Sequence, residues 1–278
     1  MTIDEIIVLA LREDIGEGDH TSLSTVPSKA MGKAKLLVKE DGILAGVDVA
    51  QRIFRLLDPA VRMDVFIKDG SEIKKGDIVF EVSGSDLSLL SAERTVLNFM
   101  QLMSGIATST HRLVEKLKGL ETRILDTRKT TPLMRPFEKL AVKLGGGYNH
   151  RFGLFDMILI KDNHVDFAGG IKNAIDAALK YREDKNSDLR IEIEVRDLEE
   201  LNQVLERGGV DRIMLDNFGF DKLRTAVKMI NGNYETEASG GITEGTIRQY
   251  AECGVDFISV GALTHHISSL DLSMKAVK

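Results

Sequence analysis

The chain has a single cysteine, Cys253, in 278 residues, so no disulfide can form within it and a reducing, cytoplasmic setting is expected. No apolar run approaches the roughly 20 residues needed to cross a bilayer. The opening stretch, "MTIDEIIVLALRED", has neither a basic leader nor a small-residue cleavage site. Thr2 and Glu5 have the spacing of a capping box instead, so a helix is expected to start there. Positive charge is in deficit: 37 Lys and Arg stand against 43 Asp and Glu, for a formal net charge of −6. That balance argues against nucleic acid or an anionic membrane as the main partner. The sequence has no low-complexity tract, no Walker loop, no flavin motif, no Ser-His-Asp set and no His/Cys cluster at zinc spacing. Any anion this acidic chain binds must be met by a local cluster of cations.

Hydrophobic residues at 43% and charged residues at 29% describe an ordinary globular protein, long enough for one large barrel or two modest domains. In the first third, "KAKLLVKEDGILAGV" places two apolar strands around Asp41-Gly42, a pair suited to a hairpin turn. A helix is expected from about Ser88 to Leu117, apolar on nearly every face and therefore buried on several sides, with Glu93 and Arg94 as a charged pair inside it. After Gly119 strands and helices alternate. The strands read as 123–127, 155–160, 191–195, 212–215, 236–239 and 257–260, joined by amphipathic helices that stop at glycine. Six very apolar strands in β-α units imply a parallel sheet covered by helices. An incomplete barrel is the first expectation and an open doubly wound sheet the second.

In both architectures the site lies at the carboxyl ends of the strands. The first strand ends at Asp126, Arg128 and Lys129, the second at Lys161, Asp162, Asn163 and His164. The third carries Glu192 and Glu194, and the fourth ends at Asp216 and Asn217. The fifth ends at Ser239-Gly240-Gly241 and the sixth at Gly261, with His265 following. Polar groups delivered by every strand to one rim point to a site. Glycine loops after the last two strands suit phosphate, because backbone amides can approach its oxygens closely. Glu194 and Asp216 end neighbouring strands, and hard carboxylates suit Mg²⁺, which also takes substrate phosphates. Arg128, Lys129, His150, Arg151 and Lys161 form a cationic group suited to a small substrate with several negative charges. A lysine at a strand end could instead form a Schiff base, as in class I aldolases.

The blocks "EDIGEGDHT", "ERTVLNFMQLMSGIAT", "DTRKTTP", "EKLAVKLGGGYNHR", "ILIKDNH", "IEVRDLEEL", "IMLDNF", "EASGGI" and "ISVGALTH" run in order from about Glu13 to Asp271. Together they resemble the quinolinate phosphoribosyltransferases, the decarboxylating nicotinate-nucleotide pyrophosphorylases. The resemblance implies an α/β fold: an N-terminal α/β sandwich, residues 1–107 joined by 266–278, and an incomplete six-stranded TIM-like barrel, residues 108–265. It implies an enzyme that joins quinolinate to phosphoribosyl pyrophosphate in NAD biosynthesis, with release of pyrophosphate and CO₂. It also implies a homodimer with shared sites, in which Arg94 reaches the partner's site. By the same resemblance Arg128, Lys129, His150, Arg151 and Lys161 bind quinolinate's carboxylates. Glu194 and Asp216 sit at the ribose and Mg²⁺–pyrophosphate, and Ser239, Gly240, Gly261 and His265 at the 5′-phosphate. The resemblance makes Lys129, Lys161, Glu194 and Asp216 the catalytic set. A paralogous group associated with molybdate transport shares the scaffold, and a non-catalytic sensing dimer is a third class; the intact cation and carboxylate blocks favour the enzyme.

Overall fold

The structure is a computed structural model that describes residues 1–277. The chain divides into two compact units: residues 1–111, 130–146 and 263–278 form the first, and residues 112–129 with 147–262 the second. The boundary expected at 107/108 differs from this division chiefly because residues 130–146 group with the first unit.

The first unit begins with α1 (Ile3–Ile15), opened by the expected capping box: the Glu5 amide donates to Thr2 Oγ1 at 3.2 Å and the Thr2 amide to Glu5 Oε2 at 2.6 Å. It continues through α2 (His20–Thr25), β1 (Met31–Val38), β2 (Gly42–Ile43), α3 (Val47–Leu57), β3 (Arg62–Val65), β4 (Glu72–Ile73) and β5 (Ile78–Ser85). The hairpin expected at Asp41-Gly42 does not form. β1 is flanked on one side by β5 and on the other by the last strand, so β2 pairs with β4 in a separate two-stranded sheet. Long-range pairing has overridden the local turn signal. The four-stranded antiparallel sheet buries Leu36, Val38, Phe80 and Val82, and Phe80 meets Phe54 of α3 edge-on, ring centroids 6.4 Å apart.

Next comes α4 (Asp86–Lys116), 31 residues long, whose last turns belong to the second unit. Its apolar residues Val96, Met100, Met103, Ile106 and Ala107 are fully buried. Two of its buried hydroxyls have backbone partners: Thr108 Oγ1 accepts from the Ile43 amide at 2.9 Å and Ser104 Oγ from the Ala45 amide at 3.0 Å. A buried hydroxyl without such a partner would cost stability.

The second unit holds six parallel strands: β6 (Arg123–Leu125), β7 (Ile158–Ile160), β8 (Ile191–Val195), β9 (Arg212–Asp216), β10 (Glu235–Ser239) and β11 (Phe257–Ser259). Chain order sets α5 (Arg135–Leu144) between β6 and β7, although that helix groups with the first unit. Between the later strands run α6 (Asp162–Ala168), α7 (Ile171–Asp184), α8 (Leu198–Arg207), α9 (Phe220–Ile230) and α10 (Ile247–Ala251). The chain ends with α11 (Ala262–His265) and β12 (Leu272–Val277), the strand that flanks β1.

The sheet order β6-β11-β10-β9-β8-β7 is that of a barrel broken between its first and second strands. Every other consecutive pair is hydrogen-bonded, and the ring continues from β11 to β6. At the break, the segment around Tyr148 lies parallel to β6: the Tyr148 amide donates to Ile124 O at 2.8 Å and the Asp126 amide to Tyr148 O at 3.1 Å. The Tyr148 segment is therefore fastened to the open edge of the first strand.

Candidate active site

In a strand, residues i and i+2 share a face, and parallel pairing puts paired residues on the same side. The register pairs Glu192 with Arg212 and Arg212 with Glu235 in one row. Glu194, Met214, Glu237 and Phe257 form the next, and Asp216 with Ser239 the row at the strand ends. The alternate residues, among them Ile191, Ile193, Val195, Ile213, Leu215, Ala238 and Ile258, are apolar and buried on the helix-covered face. The inner face is ionic where barrels usually carry branched aliphatic side chains.

At the strand ends the Ser239 hydroxyl donates to Asp216 Oδ1 at 2.5 Å, and the Asn217 amide side chain to Asp216 Oδ2 at 2.6 Å. Asn217 is itself left-handed at φ 57, and Gly240 follows Ser239 at φ 95. A Cβ on Gly240 would come within 2.2 Å of Asn217 Oδ1, so only glycine fits there. Gly241, at φ 59, faces open space, and Gly261 follows β11 half-buried. The two strand ends thus form a tight, hydroxyl-bearing loop pair.

Lys161 caps the end of β7, with Nζ 3.4 Å from Glu194 Oε2. Burial pushes the Glu194 carboxyl above its usual range; Lys161 pulls it back, and the nearby Asp216 pushes it further up. Two neighbouring carboxylates beside one lysine fit a divalent cation, whose charge would relieve their repulsion.

On the β6 side, Arg128 and Lys129 are exposed, and the Lys129 amide is held by Thr127 Oγ1 at 3.0 Å. Arg151 is half-buried and donates to Met157 O at 3.2 Å. Burial lowers its guanidinium pKa, and the nearby Arg128 lowers it further, against the opposing pull of Glu192 and Asp156. Two guanidiniums that repel each other in one wall are an electrostatic cost that a bound anion offsets.

His150 lies deeper. Its ring is buried, its amide donates to Asp126 Oδ1 at 2.9 Å, and its Nδ1 accepts from the Arg151 amide at 2.7 Å. Its Nε2 is 3.0 Å from Glu192 Oε2 and 3.5 Å from Glu237 Oε2. Both carboxyls are buried, and burial is what lifts them, Glu192 to about 7 and Glu237 to about 8. Arg212 Nη1 donates to Glu237 Oε2 at 3.1 Å, while its Nε and Nη2 bond Glu235, which Arg190 also bonds.

Of the residues named from sequence, Arg128, Lys129, His150, Arg151, Lys161, Glu194, Asp216, Ser239, Gly240 and Gly261 all belong to the second unit. The other two lie in the first unit. Arg94 is exposed on α4, so within one chain it is not the buried charge its apolar neighbours suggested. His265 is exposed on α11, its Nδ1 3.0 Å from that of His266. The roles of Arg212 and Glu237 were not evident from sequence. A charge inside an apolar strand, two residues before a rim residue, was the available signal: Glu237 stands so before Ser239, as Glu192 does before Glu194.

Among known families, residues 19–104 match the model described as quinolinate phosphoribosyl transferase, N-terminal domain, and residues 106–275 the C-terminal domain of the same family. The chain is 45% identical to a chloroplastic nicotinate-nucleotide pyrophosphorylase [carboxylating] of Arabidopsis thaliana, covering 97% of this chain and 81% of that one. It is 42% identical to a mitochondrial quinolinate phosphoribosyltransferase [decarboxylating] 2 of Nicotiana glauca, over 98% and 82% of the two chains. Among solved structures, NadC from Streptococcus pyogenes superposes with a TM-score of 0.93 at 41% identity, covering 99% of this chain and 97% of that one.

Proposed function

The chain belongs to the quinolinate phosphoribosyltransferase family, and we propose that it joins quinolinate to phosphoribosyl pyrophosphate, forming nicotinate mononucleotide, pyrophosphate and CO₂. The observation that carries this reading is the division of one rim into two charge zones. Mutually repelling cations, Arg128 and Arg151 with Lys129 beside them, occupy the β6 side, and the Glu194–Asp216 carboxylate pair with Ser239 occupies the β8–β10 side.

Arg128, Lys129, Arg151 and Lys161 hold the two carboxylates of quinolinate, arginine by its fork and lysine as a point charge. The Ser239–Gly240 and Gly261 loops take the 5′-phosphate through backbone amides. The pyridine nitrogen then forms a bond to ribose C1 as the bond from C1 to the pyrophosphate oxygen breaks. Positive charge develops on the sugar in that step, and the carboxylates of Glu194 and Asp216, fixed beforehand in adjoining rows of the inner face, stabilise it. The product pyridinium draws electrons from the adjacent ring carbon, so loss of CO₂ there leaves a carbon that takes up a proton. Mg²⁺ bound by Glu194 and Asp216, directly or through water, would neutralise the leaving pyrophosphate.

The Lys161–Glu194 contact at 3.4 Å engages that lysine as an ion partner and so supports anion binding over imine chemistry. We place Arg94 in the site of a second copy of the chain, its exposure on α4 leaving it available to that partner, and we place the enzyme in the cytoplasm. Incubation with quinolinate, phosphoribosyl pyrophosphate and Mg²⁺ tests the reading; absence of nicotinate mononucleotide would remove it.

A further inference from the structure

We infer that the buried Glu192–Glu237 pair positions the quinolinate pocket through His150, and that His150 itself is not a substrate ligand. The inference rests on the assignment of Arg151 to quinolinate. A neutral imidazole has one lone-pair nitrogen and one N–H. Here the lone pair at Nδ1 accepts the Arg151 amide at 2.7 Å, so Nδ1 cannot carry a proton. The proton therefore sits on Nε2, which faces Glu192 Oε2 at 3.0 Å and Glu237 Oε2 at 3.5 Å. Nδ1 is spent on the Arg151 amide, Nε2 is turned to the two buried carboxyls, and the ring is buried. An imidazolium would turn Nδ1–H against the Arg151 N–H, so this geometry selects the neutral Nε2–H form.

A chain of named contacts thus runs from the barrel interior to the cationic wall. Arg212 holds Glu237, Ser259 adjoins it, and Glu192 and Glu237 converge on the same imidazole nitrogen. The pair faces His150 Nε2, His150 Nδ1 holds the Arg151 amide, and Asp126 holds the His150 amide. Neither Glu192 oxygen has a well-aligned hydrogen-bond donor among the described residues, and both carboxyls are deeply buried. Such groups are costly to bury, and an interior built to orient one ring explains their presence. His150, Glu192 and Glu237 also bring metal-ligand atoms together, all within 4.8 Å. Arg212 already supplies positive charge to Glu237 at that point.

The inference makes Glu192 and Glu237 positioning residues, acting on substrate only through His150 and the Arg151 backbone. The test has two arms. Long-range ¹H–¹⁵N spectra of the histidine-labelled, full-length, substrate-free protein, with His150 assigned by its loss in His150→Gln, report the tautomer directly. The expected result is a neutral Nε2–H ring. In the kinetic arm, Glu237→Ala should raise the quinolinate KM about ten- to a hundredfold, as small displacements of a binding group do, with the phosphoribosyl pyrophosphate KM within about twofold. Glu237→Gln keeps an oxygen for His150 and should stay close to wild type. An Nδ1–H tautomer, an imidazolium, a stoichiometric bound metal, or equal KM losses for both substrates would each overturn the inference. If Glu237→Ala does not fold, the tautomer in wild type and Glu237→Gln still decides. The spectral arm needs no turnover, so it separates failure of this inference from failure of the proposed activity.

Discussion

Lys161 and Glu194 face each other from the ends of adjacent strands, Nζ 3.4 Å from Oε2, at the point where the cationic and carboxylate zones meet. Glu194 is also pushed toward its neutral form by burial and by Asp216. Replacing Lys161 with alanine removes the opposing influence and leaves a buried carboxylate beside another. Lys161→Ala should therefore lower kcat for quinolinate and raise the Mg²⁺ concentration needed for half-maximal rate. Steady-state rates across a Mg²⁺ series check this; an unchanged Mg²⁺ requirement would detach Lys161 from the carboxylate pair.

Lys129 stands apart from that pair, exposed at the end of β6. As a charge-assisted contact to a quinolinate carboxylate it contributes roughly 1.5–3 kcal/mol, or about ten- to a hundredfold in affinity. Lys129→Ala should lose that much quinolinate affinity and little phosphoribosyl pyrophosphate affinity. Calorimetric titration of both ligands measures it, and equal losses would remove Lys129 from the quinolinate pocket.

Glu237 makes stability depend on pH. It is faced by Glu192 on β8, His150 on the Tyr148 segment, Arg212 on β9 and Ser259 on β11, and burial raises its pKa from 4.5 to about 8. A carboxyl with a raised folded pKa stabilises fully below its unfolded value, and that contribution is lost as pH rises through the folded one. Melting temperature should fall between pH 6 and pH 9 by more in wild type than in Glu237→Gln, which has no proton to lose there. Parallel slopes in thermal melts would contradict a raised Glu237 pKa.

Much of the second unit was legible in sequence because its strands are short, apolar and bounded by charge. β8 occupies Ile191–Val195 as its alternation of Ile and Glu suggested, and β9 and β10 differ by one residue each. β6 stops at Leu125, two residues early, because Asp126 turns its carboxylate inward to the His150 amide. The Asp41-Gly42 hairpin failed for a different reason: β1 takes its partners from β5 and from β12 near the other end of the chain, and no local pattern encodes that distance. The strand-end residues could be read as a rim. The ionic interior could not, since Arg212 and Glu237 become neighbours only through strand order, and His150 reaches them only because Tyr148 pairs with Leu125.

The shared-site proposal for Arg94 has a complementation test. Arg94→Ala and Lys129→Ala dimers, each nearly inactive alone at quinolinate well below saturation of the variants, should regain about a quarter of wild-type activity after random subunit exchange, since half the dimers are mixed and each mixed dimer has one intact site. No recovery after demonstrated exchange would assign Arg94 and Lys129 to the same subunit's site.

The most direct measurement is product stoichiometry with purified enzyme, quinolinate, phosphoribosyl pyrophosphate and Mg²⁺. The expected result is nicotinate mononucleotide, pyrophosphate and CO₂ in equal amounts, abolished by chelator and by Glu194→Ala/Asp216→Ala. Pyrophosphate without CO₂, or turnover that survives chelation, would contradict quinolinate transfer at this rim.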